Sequence, residues 1–305
     1  DDIISTLDLI EKLQKNWNHK VDQKWVARSR LFDLLIKDWD RHEDQWRWAR
    51  YEDEESDIKT YRPIPRDRDQ PFAKYDGVLS WIIYAFNPFF RQLQTYTPDI
   101  DNIKWQSFNA TFFDQTFLNE LTWEDWEKEA IFIRDNVKDS DIELGFSKIP
   151  DNAKDEDWKQ MLEYTKSRRD NIVKFARMAY ELKSKMVDVV GTNDKDLFEI
   201  TRIDDEQTLV VAFRLSKKGK KNDKFYDRTF DHRVTKEIDL YGLDGDDEFD
   251  IKGTVDKGIL IRIIGGLGED KVKEKSAVKK GGKKTLVYDS SEEDNKLKLG
   301  EEGKD

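Results

Sequence analysis

The sequence contains no cysteine, only three histidines and no long hydrophobic run. Without cysteine, the chain has no disulfides, thiolate zinc sites or cysteine nucleophiles. His19, His42 and His232 lie far apart in the chain, so a histidine-based metal site is not expected. No apolar stretch approaches the ~20 residues that a membrane-spanning helix requires, and no signal peptide is recognisable.

The charged and aromatic content indicates a folded, acidic protein. Charged side chains make up 39% of the 305 residues and the net charge is −11, so a nucleic-acid surface is not the expected partner. Ten Trp, seventeen Phe and ten Tyr supply bulky core material. The length allows one large or two modest domains. Because the chain begins with Asp-Asp rather than Met, we expect a fragment or processed product of a longer polypeptide.

The pattern of apolar residues predicts an α+β chain whose character changes near residue 190. Helical periodicity dominates before that point, as in Val26 to Trp39 and in one long helix predicted over Asp155 to Val187. Turn residues and alternating segments then predict a β domain over 191–273, either a short solenoid or a sandwich. We therefore expect a helical domain over 1–190, the β domain, and a flexible charged tail over 274–305.

Two charged clusters flank a predicted strand that carries Trp46 and Trp48 on one face. The first is DWDRHEDQ, residues 38–45, and the second is PRDRDQPF, residues 65–72. Charged groups at the end of a buried helix must be paired, hydrogen-bonded or bound to a cation. Arg41, Arg66 and Arg68 could supply the pairing. This gives a structural interpretation, in which a buried ion-pair network locks a helix to a hairpin.

The spacing of the same residues also allows a catalytic interpretation. In protein kinases an amide that binds Mg²⁺ follows the catalytic Asp by five residues, and a separate Asp after a short hairpin holds metal. Asp40 is followed five residues later by Gln45. Asp67 and Asp69 come after a hairpin predicted over Trp46 to Ile64. No glycine-rich loop or phosphate-binding lysine is recognisable before Asp40. A nucleotide-binding lobe would therefore lie upstream, and this chain is expected to be incomplete as an enzyme.

These motifs resemble known families. Asp40-Arg41-His42 resembles the catalytic loop of phosphatidylinositol 3-kinases and secretory-pathway kinases, and residues 65–72 resemble the Pro-Trp-Asp-Leu-Asp segment of spore-coat-type atypical kinases. The run VDQKWVARSRLFDLLIKDWDRHEDQWRWA resembles a bacterial envelope family, over most of residues 5–270. In that family such a region sits between a metallophosphatase-like domain and an outer-membrane surface-antigen barrel. This resemblance implies a periplasmic or outer-membrane-associated location and, as partners, other domains of the same polypeptide.

The kinase resemblance implies a kinase-C-lobe-like domain that uses Mg²⁺ with ATP. Asp40, next to Arg41 and His42, would orient or deprotonate the acceptor hydroxyl. Gln45 would assist a metal that Asp67 or Asp69 binds. Gln stands where kinases have Asn, although its carbonyl oxygen could still reach a hard cation. The envelope resemblance leaves open a catalytically inactive scaffold or partner-binding module.

Two glycine- and aspartate-rich turns occur in the predicted β domain. Residues 265–273, GGLGEDKVK, fit the repeats-in-toxin nonapeptide at every specified position, and residues 242–250 fit it at all but the second glycine. In that motif aspartates and backbone carbonyls bind Ca²⁺, so Asp247 and Asp270 are candidate Ca²⁺ ligands. The alternative is a purely structural role for the glycines and aspartates in turns.

The residues before these turns repeat regularly. Tyr241, Ile264 and Tyr288 occupy equivalent places at intervals of 23 and 24 residues, which predicts three stacked rungs. This spacing differs from the nine-residue toxin repeat, so it need not stack Ca²⁺ ligands correctly.

Two further features belong to the helical part. The aromatic-rich stretch Tyr75 to Phe113 is more typical of a core than of a ligand cleft. Arg168-Arg169-Asp170 resembles a pattern in the envelope family and could reach toward the acidic clusters, but a surface salt bridge is its expected role.

Overall fold

The computed structural model describes residues 3–52, 56–75, 77, 90–291 and 293–304. The chain is α+β, as the sequence predicted. It divides into two compact units. Unit 1 takes in residues 1–6, 22–49 and 62–182, and unit 2 takes in 7–21, 50–61 and 183–305. The last segment of unit 1 ends at residue 182, close to the domain boundary predicted near residue 190, but two earlier segments of the chain also belong to unit 2.

Unit 1 is mainly helical. Its helices are α2 (Gln23–Ile36), α3 (Ile103–Gln106), α4 (Thr111–Phe117), α5 (Trp123–Asn136), α6 (Asp139–Ser147), α7 (Trp158–Asp170) and α8 (Ile172–Lys183). Strand β1 (Ile3–Ser5) pairs antiparallel with the first residues of β3 (Trp46–Glu52), and β4 (Lys59–Pro65) follows β3 along the chain. No helix among the described residues combines the length and apolarity needed to cross a membrane.

Helix α2 has well-defined ends. The side chain of Asp22 accepts a hydrogen bond from the Trp25 N–H, which caps the first turn. Val26 and Leu31 are fully buried on the inner face. The helix ends at Ile36, and the C-cap residue Lys37 has a left-handed φ of 58°, so the chain leaves the helix just before the first charged cluster.

The tryptophan pattern of β3 is confirmed. Trp46 and Trp48 are both fully buried. Trp46 stacks on Phe113 with a centroid distance of 4.4 Å, and Trp48 packs on Phe117 at 4.6 Å. Phe113 thus belongs to a core, as predicted for its stretch, whereas Trp81, Tyr84, Phe86 and Phe89 lie outside the described residues.

The long helix predicted over Asp155 to Val187 is wrong, because the structure divides it into α7 and α8 at Asn171. The Asn171 side chain donates to the Ser167 carbonyl at 2.9 Å, and such side-chain bonding to a nearby carbonyl competes with helix continuation.

The surface salt bridge predicted for Arg168-Arg169-Asp170 is confirmed for Arg169, which pairs with Asp170 at 2.8 Å, but it is wrong for Arg168. Arg168 is fully buried and donates to the carbonyls of Leu34 and Leu35, near the end of α2, and to those of Thr97 and Asp99. Helix-terminal carbonyls lack partners within the helix, so a buried guanidinium satisfies several at once. Burial lowers the pKa of Arg168 to about 10.

Unit 2 contains α1 (Thr6–Lys15), whose first residue is assigned to unit 1, together with β2 (His19–Val21) and a series of mostly parallel strands. These strands are β5 (Met186–Val190), β6 (Asp196–Arg202), β7 (Gln207–Leu215), β8 (Lys221–Asp231), β9 (Glu237–Asp244), β10 (Glu248–Lys252), β11 (Thr254–Val255), β12 (Leu260–Leu267), β13 (Lys271–Glu274), β14 (Ala277–Val278), β15 (Thr285–Tyr288), β16 (Lys296–Lys298) and β17 (Gly303–Lys304). Two larger sheets have the orders β16-β13-β10-β6-β7-β8 and β17-β15-β12-β9-β5.

The predicted equivalence of Tyr241, Ile264 and Tyr288 is confirmed. Ile264 is the parallel register partner of both other residues. Alternate residues of these strands, such as Ile238, Ile261 and Ile263, are fully buried. Strands β7 and β8 form an antiparallel hairpin that extends one sheet beyond β6.

Residues 274–305, for which the sequence predicts a flexible charged tail, contribute strands β14 to β17. Val278 and Val287 are buried, and Thr285 is fully buried. Few apolar residues are enough for this arrangement, because each parallel strand also satisfies the backbone groups of the strand before it. Lysine-rich composition therefore conceals a strand pattern.

Candidate functional site

The end of α2 carries a buried network of ion pairs in unit 1. Its members are Arg30, Asp33, Asp38, Arg41, Arg68 and Asp114. The shortest contacts join Arg68 to Asp33 at 2.5 Å, Arg30 to Asp33 at 2.6 Å and Arg30 to Asp114 at 2.7 Å. Three arginines face three aspartates, so the cluster is balanced in charge. The sequence predicted an ion-pair network here, and Arg41 and Arg68 belong to it as expected; Arg66, the third arginine proposed, is exposed and is not one of its members.

Burial strongly affects the charges within this network. It raises the pKa of Asp38 to about 7, with a further contribution from the neighbouring Asp33 carboxylate. Burial also lowers the pKa of Arg41, against the opposing effect of Asp33 and Asp38. Removing one member would leave an uncompensated buried charge, which is costly.

Arg41 joins the two charged clusters. Its Nη1 donates to the carbonyls of Arg66 at 2.7 Å and Asp67 at 3.4 Å, and its Nη2 donates to the carbonyl of Gln45 at 3.3 Å. Its guanidinium also lies 4.5 Å from the ring centroid of Trp46. Arg41 is fully buried. The Asp-Arg-His motif therefore has a bridging arginine at its centre.

The amide of Gln45 is oriented by Arg41. Its Oε1 accepts from Arg41 Nη1 at 3.3 Å, and its Nε2 faces Asp67 Oδ2 at 3.4 Å and His42 Nε2 at 3.4 Å. His42 also accepts from the Asp44 N–H through Nδ1, which caps a short 3-10 turn. A metal ion would need the Gln45 oxygen, which points instead at a guanidinium.

The structure brings His42, Gln45 and Asp67 together, but it engages Asp40 elsewhere. Asp40 Oδ1 accepts from Asn109 Nδ2 at 2.7 Å, and Asp69 is exposed to solvent. Throughout the described part of the chain, no three His, Asp or Glu side chains are grouped as a metal site would require.

Sequence reasoning missed Arg30, Asp33, Asp114 and Asn109. One signal was available, because Arg30 and Asp33 stand three residues apart on a helix and therefore share a face. The contact between Arg30 and Asp114 spans 84 residues, and no local pattern indicates it.

The candidate Ca²⁺ ligands of unit 2 belong to a ladder of side chains, which we call the carboxamide–carboxyl ladder. Its members are Asp196, Asp247, Asp270 and Asn295. Each side-chain oxygen accepts the backbone N–H of the preceding member, at 2.7 Å in all three steps. Asp196 in turn accepts from the Thr192 N–H at 2.6 Å. The ladder thus satisfies one backbone donor on each rung.

Sequence reasoning missed Asp196 and Asn295. Asp196 follows Gly191 by five residues, the same spacing that separates Gly242 from Asp247 and Gly265 from Asp270. That repeated spacing was the available signal.

These turns require glycine, because neighbouring atoms occupy the space that a Cβ would fill. A Cβ on Gly265 would lie 2.2 Å from Asp270 Oδ2, and one on Gly242 would lie 2.3 Å from both Asp247 Oδ2 and the Gly265 carbonyl oxygen. Such distances are far inside van der Waals contact, so any side chain would push the ladder apart.

We expect Gly265→Ala to destabilise unit 2 by about 1–3 kcal/mol, as overpacking of a close-packed interior does. Urea unfolding measures this loss. The matched control is Gly145→Ala in α6, where no atom lies within 4 Å and Ala is the better helix former by up to ~1 kcal/mol. Equal stability of Gly265→Ala and the native chain would contradict the close-approach argument.

The second oxygens of Asp247 and Asp270 are buried, and no group in the described part of the chain donates a hydrogen bond to them. Burial raises the pKa of Asp247 to about 9 and that of Asp270 to about 7, and the carboxyls that surround them add to the effect. Burial likewise raises the pKa of Asp196 to about 6. Such oxygens favour a neutralising proton or cation.

Comparison with protein-family models, with curated proteins and with solved structures finds no match for this chain.

Proposed function

We propose that the chain is a non-catalytic structural and partner-binding module of a bacterial cell-envelope protein. The observation that carries the proposal is the position of Arg41. Its guanidinium is buried, bridges the two charged clusters and takes the Gln45 oxygen that a kinase-like site would offer to Mg²⁺. The periplasmic or outer-membrane-associated location, and the other domains of the same polypeptide as partners, come from the envelope-family resemblance.

Within this proposal, unit 1 is a degenerate kinase-C-lobe-like domain and unit 2 is a short β-solenoid. A solenoid is favoured over a sandwich because, apart from the antiparallel β7–β8 hairpin and its pairing with β6, the neighbouring strands of both larger sheets pair in parallel. Glu237 is the partner of Leu260, and Glu248 is the partner of Lys271, each pair 23 residues apart. Sandwiches are instead built from antiparallel strands.

A surface of unit 1 has the composition of a protein interface. Trp25, Phe32 and Phe132, which we call the aromatic patch, have exposed fractions of 39%, 40% and 43%. Arg28 lies over the rings of Phe132 and Trp25, at 3.8 and 5.2 Å from their centroids. Aromatic residues and arginine are enriched at interface hot spots. We assign the aromatic patch to contact with a neighbouring domain of the parent polypeptide.

Hydrogen exchange tests this assignment. We expect the backbone amides around Trp25 and Phe132 to exchange more slowly in the parent polypeptide than in the isolated chain, because a docked domain protects them. Phe132→Ser should remove the difference, while Leu144→Ser, at an exposed position of α6, should leave it unchanged. Identical exchange at the aromatic patch in both proteins would refute a partner-binding role for this surface.

Kinase-like phosphoryl transfer is the second candidate function. The contact between Gln45 and Asp67 favours it, because the two loops that would form the site are adjacent. Asp40 would then act on the acceptor hydroxyl, and Gln45 with Asp67 or Asp69 would hold Mg²⁺ with ATP. To bind Mg²⁺, the Gln45 side chain would have to rotate away from Arg41. The two buried side chains would then lose the hydrogen bond between them.

Calcium stabilisation of unit 2 is the third candidate. The buried second oxygens of Asp247 and Asp270 favour it, because a cation would neutralise them. Their first oxygens already accept backbone N–H groups, so each carboxylate could give a cation only one free oxygen.

A further inference from the structure

A pocket of about 430 Å³ opens in unit 2, beside the turns that precede β9, β12 and β15. Its charged lining consists of Arg233, Lys236, Lys257, Lys284, Asp205 and Glu206. Four basic groups thus face two acidic groups in the lining, and one of the four, Arg233, is paired with Asp231 at 2.6 Å. The volume lies within the range typical of small-molecule sites, roughly 300–1,000 Å³.

The acidic side of the pocket is partly engaged. Asp205 Oδ1 accepts the backbone N–H groups of Asp256 at 2.7 Å and Lys257 at 3.0 Å. Lys236 donates to the carbonyls of His232 and Arg233. Among the residues that the structure describes, the ammonium groups of Lys257 and Lys284 form no ion pair. These two lysines are therefore the charges available to a ligand.

A buried guanidinium lies beneath the pocket. Arg202 has an exposed fraction of 1%, and its partners among the described residues are neutral: the carbonyls of Ile259 and Lys284 at 2.9 and 3.0 Å, and two hydroxyls. Gly258 covers it, since a Cβ there would lie 2.9 Å from Arg202 Nη1. The guanidinium charge is present before any ligand arrives and adds to that of the lining lysines, while the carboxylates of Glu274 and Glu302 partly offset it.

Arg202 also affects a neighbouring ring. The pKa of His232, another lining residue, is lowered by burial and then by the charge of Arg202. Both ring nitrogens are engaged, Nδ1 with the Asp205 carbonyl and Nε2 with the Thr208 hydroxyl. His232 thus forms a fixed wall of the pocket.

We propose that this pocket binds a small anionic molecule that carries a phosphate or carboxylate group, with Lys257 and Lys284 contacting the anion. Lysine suits this role because its ammonium is a compact point charge that turns freely toward an oxyanion. The proposal goes beyond the structural role proposed above, since it needs neither a partner domain nor the Asp-Arg-His motif.

The test is a titration of the whole chain with inorganic phosphate and, separately, with citrate at constant ionic strength, followed by NMR. We expect saturable shifts at the amides of Gly258 and Lys284 with at least one anion, and the comparison of the two distinguishes phosphate from carboxylate recognition. Lys257→Gln combined with Lys284→Gln should weaken binding about tenfold or more, whereas Lys218→Gln, at an exposed turn, should not change it.

Thermal unfolding of each variant is the control for folding. We expect little change in melting temperature, because neither lysine side chain is buried in the core. Absence of saturable shifts with both anions, or equal affinity of the double variant and the native chain, would overturn the proposal.

Discussion

Arg41→Met is expected to lower the free energy of unfolding of unit 1 by about 3–5 kcal/mol, the cost of breaking a buried ion pair from one side. The substitution removes the contacts with Asp33 and Asp38 and the hydrogen bonds to the carbonyls of Arg66 and Gln45. The remaining carboxylates cannot be solvated, because Asp33 and Asp38 are buried. Urea unfolding followed by circular dichroism measures the loss.

Two matched variants make this result specific. Arg66→Met alters an exposed arginine of the same loop and should change stability by no more than ~0.5 kcal/mol. Arg41→Lys keeps the charge but loses the planar fork that reaches several carbonyls, so it should remain well below the native stability. If Arg41→Met were as stable as Arg66→Met, the bridging role of Arg41 would be wrong.

Raising the pH from 5 to 9 is the second change with a large expected effect, and it should destabilise unit 2. The folded-state pKa of Asp247, about 9, and that of Asp270, about 7, lie above the ordinary value. The folded chain therefore holds these protons more tightly than the unfolded chain. Their stabilising contribution is complete at low pH and is lost as the pH rises through the folded pKa values, by up to ~1.4 kcal/mol per group and pH unit.

The carboxyls packed around Asp247 strengthen this dependence. Asp196, Asp246 and Asp270 all raise its pKa, while the Asp196 N–H that it accepts acts in the opposite direction. Neighbours of Asp270 act alike, since Asp289, Glu293 and Asp246 raise its pKa.

Asp247→Asn should flatten the pH dependence and raise the melting temperature at pH 8. The chain contains a precedent, because Asn295 already occupies the last place of the ladder. Its Oδ1 accepts the Asp270 N–H and its Nδ2 donates to the Ser290 carbonyl at 2.9 Å. An uncharged amide therefore performs the same task without a proton.

Asp244→Asn, at an exposed place in the same turn, is the control and should leave the pH dependence as it is. A melting temperature that rises from pH 5 to 9 in the native chain would contradict the account. Calcium provides a further comparison: a Ca²⁺-dependent rise at pH 8 that Asp247→Asn abolishes would favour the calcium-stabilised alternative.

Local patterns were enough to predict several features. The alternation of Trp46 and Trp48 predicted a strand with one buried face, and the intervals between Tyr241, Ile264 and Tyr288 predicted stacked rungs. Both signals depend only on residues close in sequence, or on a constant repeat length. The sequence also indicated that arginines could pair with the acids near the end of α2.

Other features required three-dimensional information. Asp247 and Asp270, two members of the ladder, are 23 residues apart, but the β7–β8 hairpin lies between Asp196 and Asp247 and separates them by 51 residues. The sequence therefore did not indicate that Asp196 belongs to the same ladder. The partner of Asp40 is Asn109, 69 residues away. Arg168 stands in a charged trio but is buried against carbonyls more than 130 residues earlier. Contacts of this range are set by packing, and composition does not indicate them.

We propose that the Asp-Arg-His motif is structural rather than catalytic. Calorimetric titration of Mg²⁺ with ATP into the chain and into the parent polypeptide tests it most directly, alongside Asp40→Ala and Asp69→Ala in each. We predict no Mg²⁺-dependent nucleotide binding that either substitution changes, with all variants folded. Mg²⁺-dependent binding to the native protein that is lost in both variants would contradict the claim and establish the kinase-like alternative.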